Sequence, residues 1–294
     1  MTREQQAQHI VICADDYGIS PAVSRGIREL IAAERVTATS VMTLSPFWKS
    51  EAKALIELAE LADIGVHLTL TDQSPIGEMP TLAPNGKLLS PAQLARRAFA
   101  GLISREEVRF EFERQIDAFE AALGRPPDHL DGHHHIQQLP FIAEAFFEVA
   151  RRRLPPHGYV RLCIDTLQRI LARPTMRWKG GFLHLMGRRL ILKADRAGLR
   201  TNSGFVGFYP YSNPRLDIAE MFRHFLVTAV PDTILMCHPG YIDDELRRAD
   251  SLVLGREREL EYLAGDQFAV ALAEACLRPA RLVADGPHRT TDKR

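Results

Sequence analysis

Residues 9–16 read His-Ile-Val-Ile-Cys-Ala-Asp-Asp, a short apolar run that ends in two adjacent carboxylates, Asp15 and Asp16. His67 follows a second β-like run, and residues 129–135 end a third with His-Leu-Asp-Gly-His-His-His. Successive strands of a parallel α/β sheet or barrel end on one face, so these side chains should converge there. The pattern predicts a site in which one carboxylate binds a cation and the other accepts a proton from water.

Composition narrows the class of protein. The chain has 294 residues, 46% of them hydrophobic, and its 37 basic and 37 acidic residues cancel. This length suits one large core, and zero net charge provides no overall attraction to nucleic acid or an anionic membrane. No signal peptide is recognised and no apolar run reaches the ~18 residues of a membrane span, so we expect a cytoplasmic protein.

The cysteines form neither a zinc pattern nor a disulfide framework. They are widely spaced, and three of them lie inside apolar runs. We therefore predict free thiols, mostly buried as small hydrophobic groups. The four are Cys13, Cys163, Cys237 and Cys276.

The order of secondary structure favours a barrel. Short β-branched runs alternate with longer helical patterns, which is typical of parallel βαβ units. Ser20-Pro21 predicts the start of a helix that runs through Ile31, and residues 106–123 predict another helix. Residues 129–132 and 233–237 are predicted to be strands. About seven or eight strand candidates favour a single α/β barrel domain over residues 1–294, with a doubly wound sheet as the alternative. Residues 71–93 lose periodicity and are predicted to form a loop insert. The chain is predicted to end with a helix from about Glu259 to Leu277 and a strand over Arg281 to Ala284.

The histidine triplet is interpreted from strand geometry. Successive side chains of an extended chain alternate between faces, so His133 and His135 should share one side and His134 should take the other. If Asp131 points the same way as His133 and His135, a carboxylate and two imidazoles meet in one pocket. Three such groups at one strand end indicate a binding site.

Each motif also has a structural interpretation. Asp15 and Asp16 precede Tyr17-Gly18 and are compatible with a turn. An isolated His67 is compatible with a half-buried structural histidine, and His238, before Pro239-Gly240, with a helix cap or a proton donor. The joint occurrence of four such groups at strand ends favours the functional interpretation.

These motifs resemble a known family. Residues 14–20 read ADDYGIS, similar to the ADDFGLS segment of the YdjC-like carbohydrate deacetylases, which include chitooligosaccharide deacetylases and a hopanoid-biosynthesis member. Residues 64–70 resemble the family's G-x-H-x-x-L segment, residues 129–135 its HLDSHHHVH segment, and residues 238–240 its late His-Pro-Gly. The order agrees over nearly the whole chain. The resemblance implies a distorted or incomplete (β/α) barrel with parallel strands.

The resemblance also implies roles for individual residues. Asp16, His67 and His133 would be the ligands of one divalent metal ion, Asp15 the base, and His238 an acid or oxyanion partner. The implied reaction is hydrolysis of the N-acetyl group of an amino sugar, giving acetate and a free amine. Zn and Mg are the first candidates for the ion, and Mn and Co also fit mixed oxygen and nitrogen ligands.

Further residues are assigned around this set. Arg161, at another strand end, is expected to orient an acidic group of the site, with a surface position as its alternative. Tyr17, Asp131 and His135 are expected to contact the substrate. Gln137 stands where the family often has another histidine, and we expect this departure to affect substrate contacts rather than the metal.

A basic segment over residues 173–200 is predicted to be helical. Eight Lys and Arg residues oppose a single acidic residue, with apolar side chains between them. Such a stretch can lie on an anionic membrane surface and present the site to a lipid-linked sugar, or it can be a barrel helix with a solvated basic face. A homodimer is also expected. A metal-dependent phosphoesterase and a non-catalytic sugar-binding protein are the alternative functions.

Overall fold

The computed structural model describes residues 7–164, 187, 189–211, 213 and 215–285. Nine strands are found in this part of the chain, and every pairing between them is parallel. They are β1 Gln8–Tyr17, β2 Ala38–Val41, β3 Asp63–Leu68, β4 His129–Gly132, β5 Tyr159–Val160, β6 Arg200–Thr201, β7 Gly204–Val206, β8 Thr233–Cys237 and β9 Leu277–Pro279.

The strands form a distorted barrel. Their order is β6-β5-β4-β3-β2-β1-β8-β7, and β9 pairs with the start of β1. Only two residues separate β6, which pairs with β5, from β7, which pairs with β8, so residues 200–206 connect the two ends of the sheet. Asn202 lies at the bend, where its Oδ1 accepts from Leu162 N at 2.8 Å and its Nδ2 donates to Leu162 O at 3.0 Å. The predicted parallel (β/α) barrel is therefore confirmed.

Helices follow most strands. They are α1 Pro21–Ala32, α2 Trp48–Ile56, α3 Pro91–Phe99, α4 Arg105–Leu123, α5 Ile142–Arg153, α6 Ile218–Val227, α7 Asp244–Ala249, α8 Leu254–Ala264, α9 Asp266–Glu274 and α10 Leu282–Asp285. Residues 189–197 are also helical. Caps mark the ends of α1 and α4. Ser20 accepts from Val23 N at the start of α1, and α4 begins after Ser104 and ends at Gly124, which has a left-handed φ of 69°.

Two hydrophobic cores lie on the two faces of the sheet. Ile10 and Ile12 of β1 belong to the larger core, which includes residues of α1 and α2, whereas Val11 and Cys13 belong to the smaller one. This alternation follows from the two-residue period of a strand. Three cysteines, Cys13, Cys163 and Cys237, are buried as predicted, and Cys276 is exposed.

The end of the chain differs from the prediction. The expected long helix is two helices, α8 and α9, and the strand lies at Leu277–Pro279. The strand predicted over 281–284 is wrong: Leu282 begins the short helix α10, because Leu282 N and Val283 N both donate to Asp63 Oδ2. The α3 and α7 helices were not predicted.

The predicted loop insert is shorter in the structure, and the predicted basic segment is described only in part. The loop insert ends at Ser90 rather than at residue 93, because Ser90 forms a capping box at the start of α3. Most of the basic segment, residues 173–186 and 188, lies outside the described residues. None of the helices in the described part of the chain combines the length and apolar character needed to cross a membrane.

Candidate metal centre

The end of β1 directs two adjacent carboxylates toward one site. In a regular strand Asp15 and Asp16 would face opposite sides of the sheet. Here the register shifts between Ala14 and Tyr17, and Asp16 has a left-handed φ of 68°. Such a bulge re-aims side chains, and both aspartates become buried near His67. Sequence periodicity contains no signal for this.

Two imidazoles converge on one carboxylate oxygen of Asp16. His67 Nε2 lies 3.4 Å and His133 Nδ1 lies 3.1 Å from Asp16 Oδ1. That oxygen is buried and has no hydrogen-bond partner among the described residues. A buried carboxylate oxygen without a donor is costly unless a cation satisfies it. One carboxylate and two imidazoles form a mixed ligand set that suits a divalent metal ion.

Asp16 is held in its ionised form. Burial by itself would raise the pKa of Asp16, but the Arg256 guanidinium and His133 hold this pKa well below its ordinary value. Arg256 Nη2 contacts Asp16 Oδ2 at 2.7 Å, on the oxygen that does not face the histidines. The carboxylate therefore carries a negative charge toward the candidate metal position.

The histidine triplet is not extended. Residues His133–Gln138 form a 3₁₀ helix, and His134 and His135 have left-handed φ values of 55° and 59°. His133 faces Asp16, while His134 is exposed and its Nδ1 lies 2.9 Å from Thr71 Oγ1.

His135 turns away from His133. Its Nδ1 lies 3.1 Å from Cys163 Sγ, and its ring packs against Phe205 and Phe208. The prediction that His133 and His135 share one pocket is therefore wrong, because the backbone leaves the extended region directly after Gly132. The substrate contact predicted for His135 stays a prediction.

Asp131 lies behind His67 and has no exposed surface. Its Oδ1 is 2.6 Å from His67 Nδ1, and its Oδ2 accepts from Ser40 Oγ at 2.6 Å. A carboxylate can only accept, so Nδ1 donates and Nε2 is left free for a cation. Burial would raise the pKa of Asp131, but Arg161 and His67 lower it; burial would lower the pKa of His67, but Asp131 raises it. The structure thus gives Asp131 a position behind His67, and the substrate contact predicted for Asp131 stays a prediction.

Arg161 links the two inner aspartates. Its Nη1 and Nη2 donate to the two oxygens of Asp15 at 2.5 and 2.7 Å, and its Nε lies 2.9 Å from Asp131 Oδ2. Arg161 is fully buried, so the alternative surface position is wrong. Burial would lower the pKa of Arg161, but Asp131 and Asp15 raise it, which keeps the guanidinium charged. These contacts fix the orientation of the Asp15 carboxylate.

His238 lies directly after β8 and is held through its backbone. Its N–H donates to Glu259 Oε2 at 2.5 Å, and its ring meets the ring of Tyr211 edge-on with centroids 5.0 Å apart. Burial lowers the pKa of His238 to about 4, although Asp16 and Asp15 act to raise it. The imidazole is therefore neutral near pH 7 in the metal-free protein.

Two residues with expected substrate roles face other partners. Tyr17 is buried, and its hydroxyl donates to Glu51 O and accepts from Arg28 Nη1, each at 2.8 Å. The substrate contact predicted for Tyr17 stays a prediction. Gln137 is buried as well, and its amide donates to Arg161 O at 3.3 Å. Its expected effect on substrate contacts stays a prediction.

Three residues of the site were not identified from the sequence. Ser40 shares the inward face of β2 with Ala38, so strand alternation contains a signal for it. Arg256 and Glu259 lie on α8 without exposed surface. Charged helical residues are usually solvated, so only the tertiary structure identifies these two.

The protein is a parallel (β/α) barrel in which one carboxylate and two histidines meet at the carboxyl ends of the strands. This arrangement is that of a barrel protein with a candidate catalytic metal centre. The chain matches the model of the family described as YdjC-like protein over residues 9–274. It belongs to this family, as predicted from its motifs.

Individual relatives agree with this assignment. The chain is 32% identical to a carbohydrate deacetylase of Halalkalibacterium halodurans, over 88% of this chain and 97% of the relative. It is 29% identical to a chitooligosaccharide deacetylase of Yersinia pestis, over 90% and 94% of the two chains. A crystal structure of an Enterococcus faecalis protein, provisionally described as a cellobiose-phosphate cleavage protein, superposes with a TM-score of 0.74 at 25% identity, covering 94% and 98%.

Proposed function

We propose that this protein is a metal-dependent carbohydrate deacetylase that removes the N-acetyl group of an amino sugar and releases acetate and a free amine. The observation that carries the proposal is the position of Asp16 Oδ1. This oxygen has no hydrogen bond within the described part of the chain and faces His67 Nε2 and His133 Nδ1, while Asp15 lies beside it. The names of the two deacetylase relatives support the substrate class.

Asp16, His67 and His133 would hold the cation. When bound, a divalent ion polarises the acetyl carbonyl and makes a bound water acidic enough to react near neutral pH. Asp15 is suited to be the base because its Oδ2 lies 3.9 Å from His67 Nε2, beside the ligand set. The Arg161 fork holds the Asp15 carboxylate in one orientation.

In the proposed reaction one proton moves from the attacking water to the departing amine by way of Asp15. Asp15 accepts a proton from the attacking water, whose oxygen forms the new bond to the acetyl carbon. The carbon–nitrogen bond then breaks, and the departing amine takes up the proton that Asp15 accepted. His238, as a neutral imidazole, can donate a hydrogen bond to the carbonyl oxygen as that oxygen gains charge. This favours the oxyanion role over the acid role for His238.

The same geometry argues against a phosphoesterase. A two-metal site would need a second cation, and the position between Asp15 and Asp131 is already taken by the Arg161 guanidinium. The other buried arginine, Arg256, is committed to Asp16 and Asp250. Neither guanidinium is free to bind a phosphoryl group. A sugar-binding protein without catalysis would not need the oriented Asp15.

The identity of the metal ion also belongs to the proposal. We take Zn or Mg as the ion, with Mn and Co as the alternatives. A cytoplasmic location, a lipid-linked substrate, membrane contact through residues 173–200 and a homodimer stay predictions. At the described end of that segment Lys193 is paired with Glu144, so this lysine contributes less free charge to a basic surface.

The test is acetate release from N-acetylglucosamine oligosaccharides and glycolipids. Metal-stripped protein is assayed with Zn, Mg, Mn or Co added back, beside Asp15→Asn. We expect metal-dependent release that falls about 10²–10⁴-fold in Asp15→Asn, with the metal still bound. Asp117→Asn is the matched control, because Asp117 is a surface carboxylate paired with Arg153 outside the site.

Each result has a defined meaning. Metal-dependent release that is lost in Asp15→Asn but kept in Asp117→Asn supports the deacetylase. Metal and sugar binding without release in the wild type would instead indicate the binding protein. Release of phosphate from a generic phosphate ester, with no acetate from any substrate, would favour the phosphoesterase.

A further inference from the structure

A buried arginine holds Asp16 on the side away from the candidate metal. Arg256, in the first turn of α8, has no exposed surface, and its Nη2 lies 2.7 Å from Asp16 Oδ2. The same nitrogen lies 2.6 Å from Asp250 Oδ2, and Nε donates to Leu252 O at 2.8 Å. The guanidinium is therefore fixed by three separate groups.

This arrangement makes the two oxygens of Asp16 different. Oδ2 is occupied by Arg256, whereas Oδ1 has no hydrogen bond to any residue that the structure describes and faces His67 and His133. A carboxylate without such a partner can rotate and offer either oxygen, or both, to a cation. Outer partners of this kind orient metal ligands, and losing one typically weakens metal binding about 10–100-fold.

We propose that Arg256, anchored by Asp250, is a positioning residue that directs Asp16 Oδ1 toward the metal ion. This inference rests on the proposed function, because it takes Asp16, His67 and His133 as the ligands of the ion. It assigns a role in the centre to two residues from the segment between β8 and α9.

Two simpler explanations make different predictions. If only charge mattered, the positive Arg256 would repel a cation, so its removal would tighten binding, and removal of the negative Asp250 would weaken it. If Arg256 only stabilised the fold, its loss would lower the free energy of unfolding and leave the metal affinity of the folded protein unchanged. Positioning predicts weaker binding after loss of either residue.

The experiment is a zinc titration of the metal-stripped full chain against a competing chelator. The variants are Arg256→Lys, which keeps the charge, Arg256→Met, which removes it, and Asp250→Asn. Arg258→Lys is the matched control: Arg258 lies in the same helix, and its guanidinium contacts the backbone carbonyls of Asn213 and Leu216.

We expect the zinc Kd to rise about 10–100-fold in both Arg256 variants, to rise less in Asp250→Asn and to stay unchanged in Arg258→Lys. Thermal unfolding of the metal-free variants identifies any that do not fold. If Arg256→Met does not fold, wild-type affinity in both Arg256→Lys and Asp250→Asn overturns the inference, and so does equal or tighter binding by a folded Arg256→Met.

Asp16→Asn separates this inference from the proposed function. If the wild type binds zinc, Asp16→Asn does not, and the Arg256 variants bind like the wild type, only the positioning role fails. If Asp16→Asn binds zinc as tightly as the wild type, the proposed ligand set fails, and the inference fails with it.

Discussion

Buried aspartates occur at both ends of the barrel, but their oxygens have different partners. At the amino end Asp63 begins β3, where Oδ1 accepts from Arg281 Nε at 2.9 Å and Oδ2 accepts from Leu282 N at 2.8 Å. At the carboxyl end Asp16 Oδ2 accepts from Arg256 Nη2, whereas Asp16 Oδ1 has no hydrogen bond among the described residues. A structural carboxylate is saturated by donors, and a candidate metal ligand keeps one oxygen free.

The pKa values of the two carboxylates are also shifted in opposite directions. Burial raises the pKa of Asp63 even though Arg281 acts to lower it. Burial acts the same way on Asp16, but Arg256 and His133 outweigh it and hold the pKa of Asp16 well below its ordinary value. The same desolvation penalty is thus offset more strongly at the end of the barrel where a charge is needed.

The largest effect is expected for Asp16→Asn. This change removes the ionised ligand, so zinc binding should weaken by more than the ~100-fold that loss of an outer partner can cost, and acetate release should be lost. The measurement is zinc titration with a chelator, paired with the acetate assay. Unchanged zinc affinity would show that the free oxygen has another purpose.

Asp63→Asn should have the opposite profile. Loss of the ion pair with Arg281 and of a backbone acceptor should lower the free energy of unfolding by about 2–3 kcal/mol, with zinc affinity unchanged. Urea denaturation of the metal-free protein measures the first quantity, and zinc titration measures the second. A weakened metal site in this variant would mean that the two ends of the barrel are coupled.

The carboxyl end should also have its own pH dependence. Burial raises the pKa of Glu259 to about 7 in the folded protein, above the value of about 4.3 expected when unfolded. The stability that this group contributes is complete below about pH 4.3 and is lost as the pH rises through about 7, by at most about 4 kcal/mol. Glu259→Gln should flatten this decline in urea denaturation of metal-free protein between pH 5 and 8. A slope that persists in the variant would assign it to other groups.

The smallest effect is expected for Asp131→Asn. The amide can still accept from His67 Nδ1, but it loses the charge that faces Arg161, so zinc affinity should fall about 10–100-fold. Asp128→Asn is the matched control, because Asp128 precedes β4 at the amino end and its Oδ2 accepts from Ile64 N at 2.8 Å. Equal affinities in the two variants would contradict the role of Asp131 as the partner of His67.

Local sequence signals were sufficient for much of the fold. Hydrophobic periodicity and caps depend only on residues that are close in sequence. The predicted bounds of α1 and α4 therefore lie within two residues of the observed ones, and those of β4 and β8 agree with them. The family and the parallel barrel were likewise predicted, because the motifs follow strands in order along the chain.

What the sequence by itself determined is the set of residue types that reach the carboxyl ends of the strands: Asp16, His67 and His133 were all expected there. The tertiary structure decided how they are used. The bulge at Asp16 and the left-handed residues after His133 break the local periods on which sequence patterns depend. The arginine partners join residues up to 240 positions apart, so only the closed barrel brings them together.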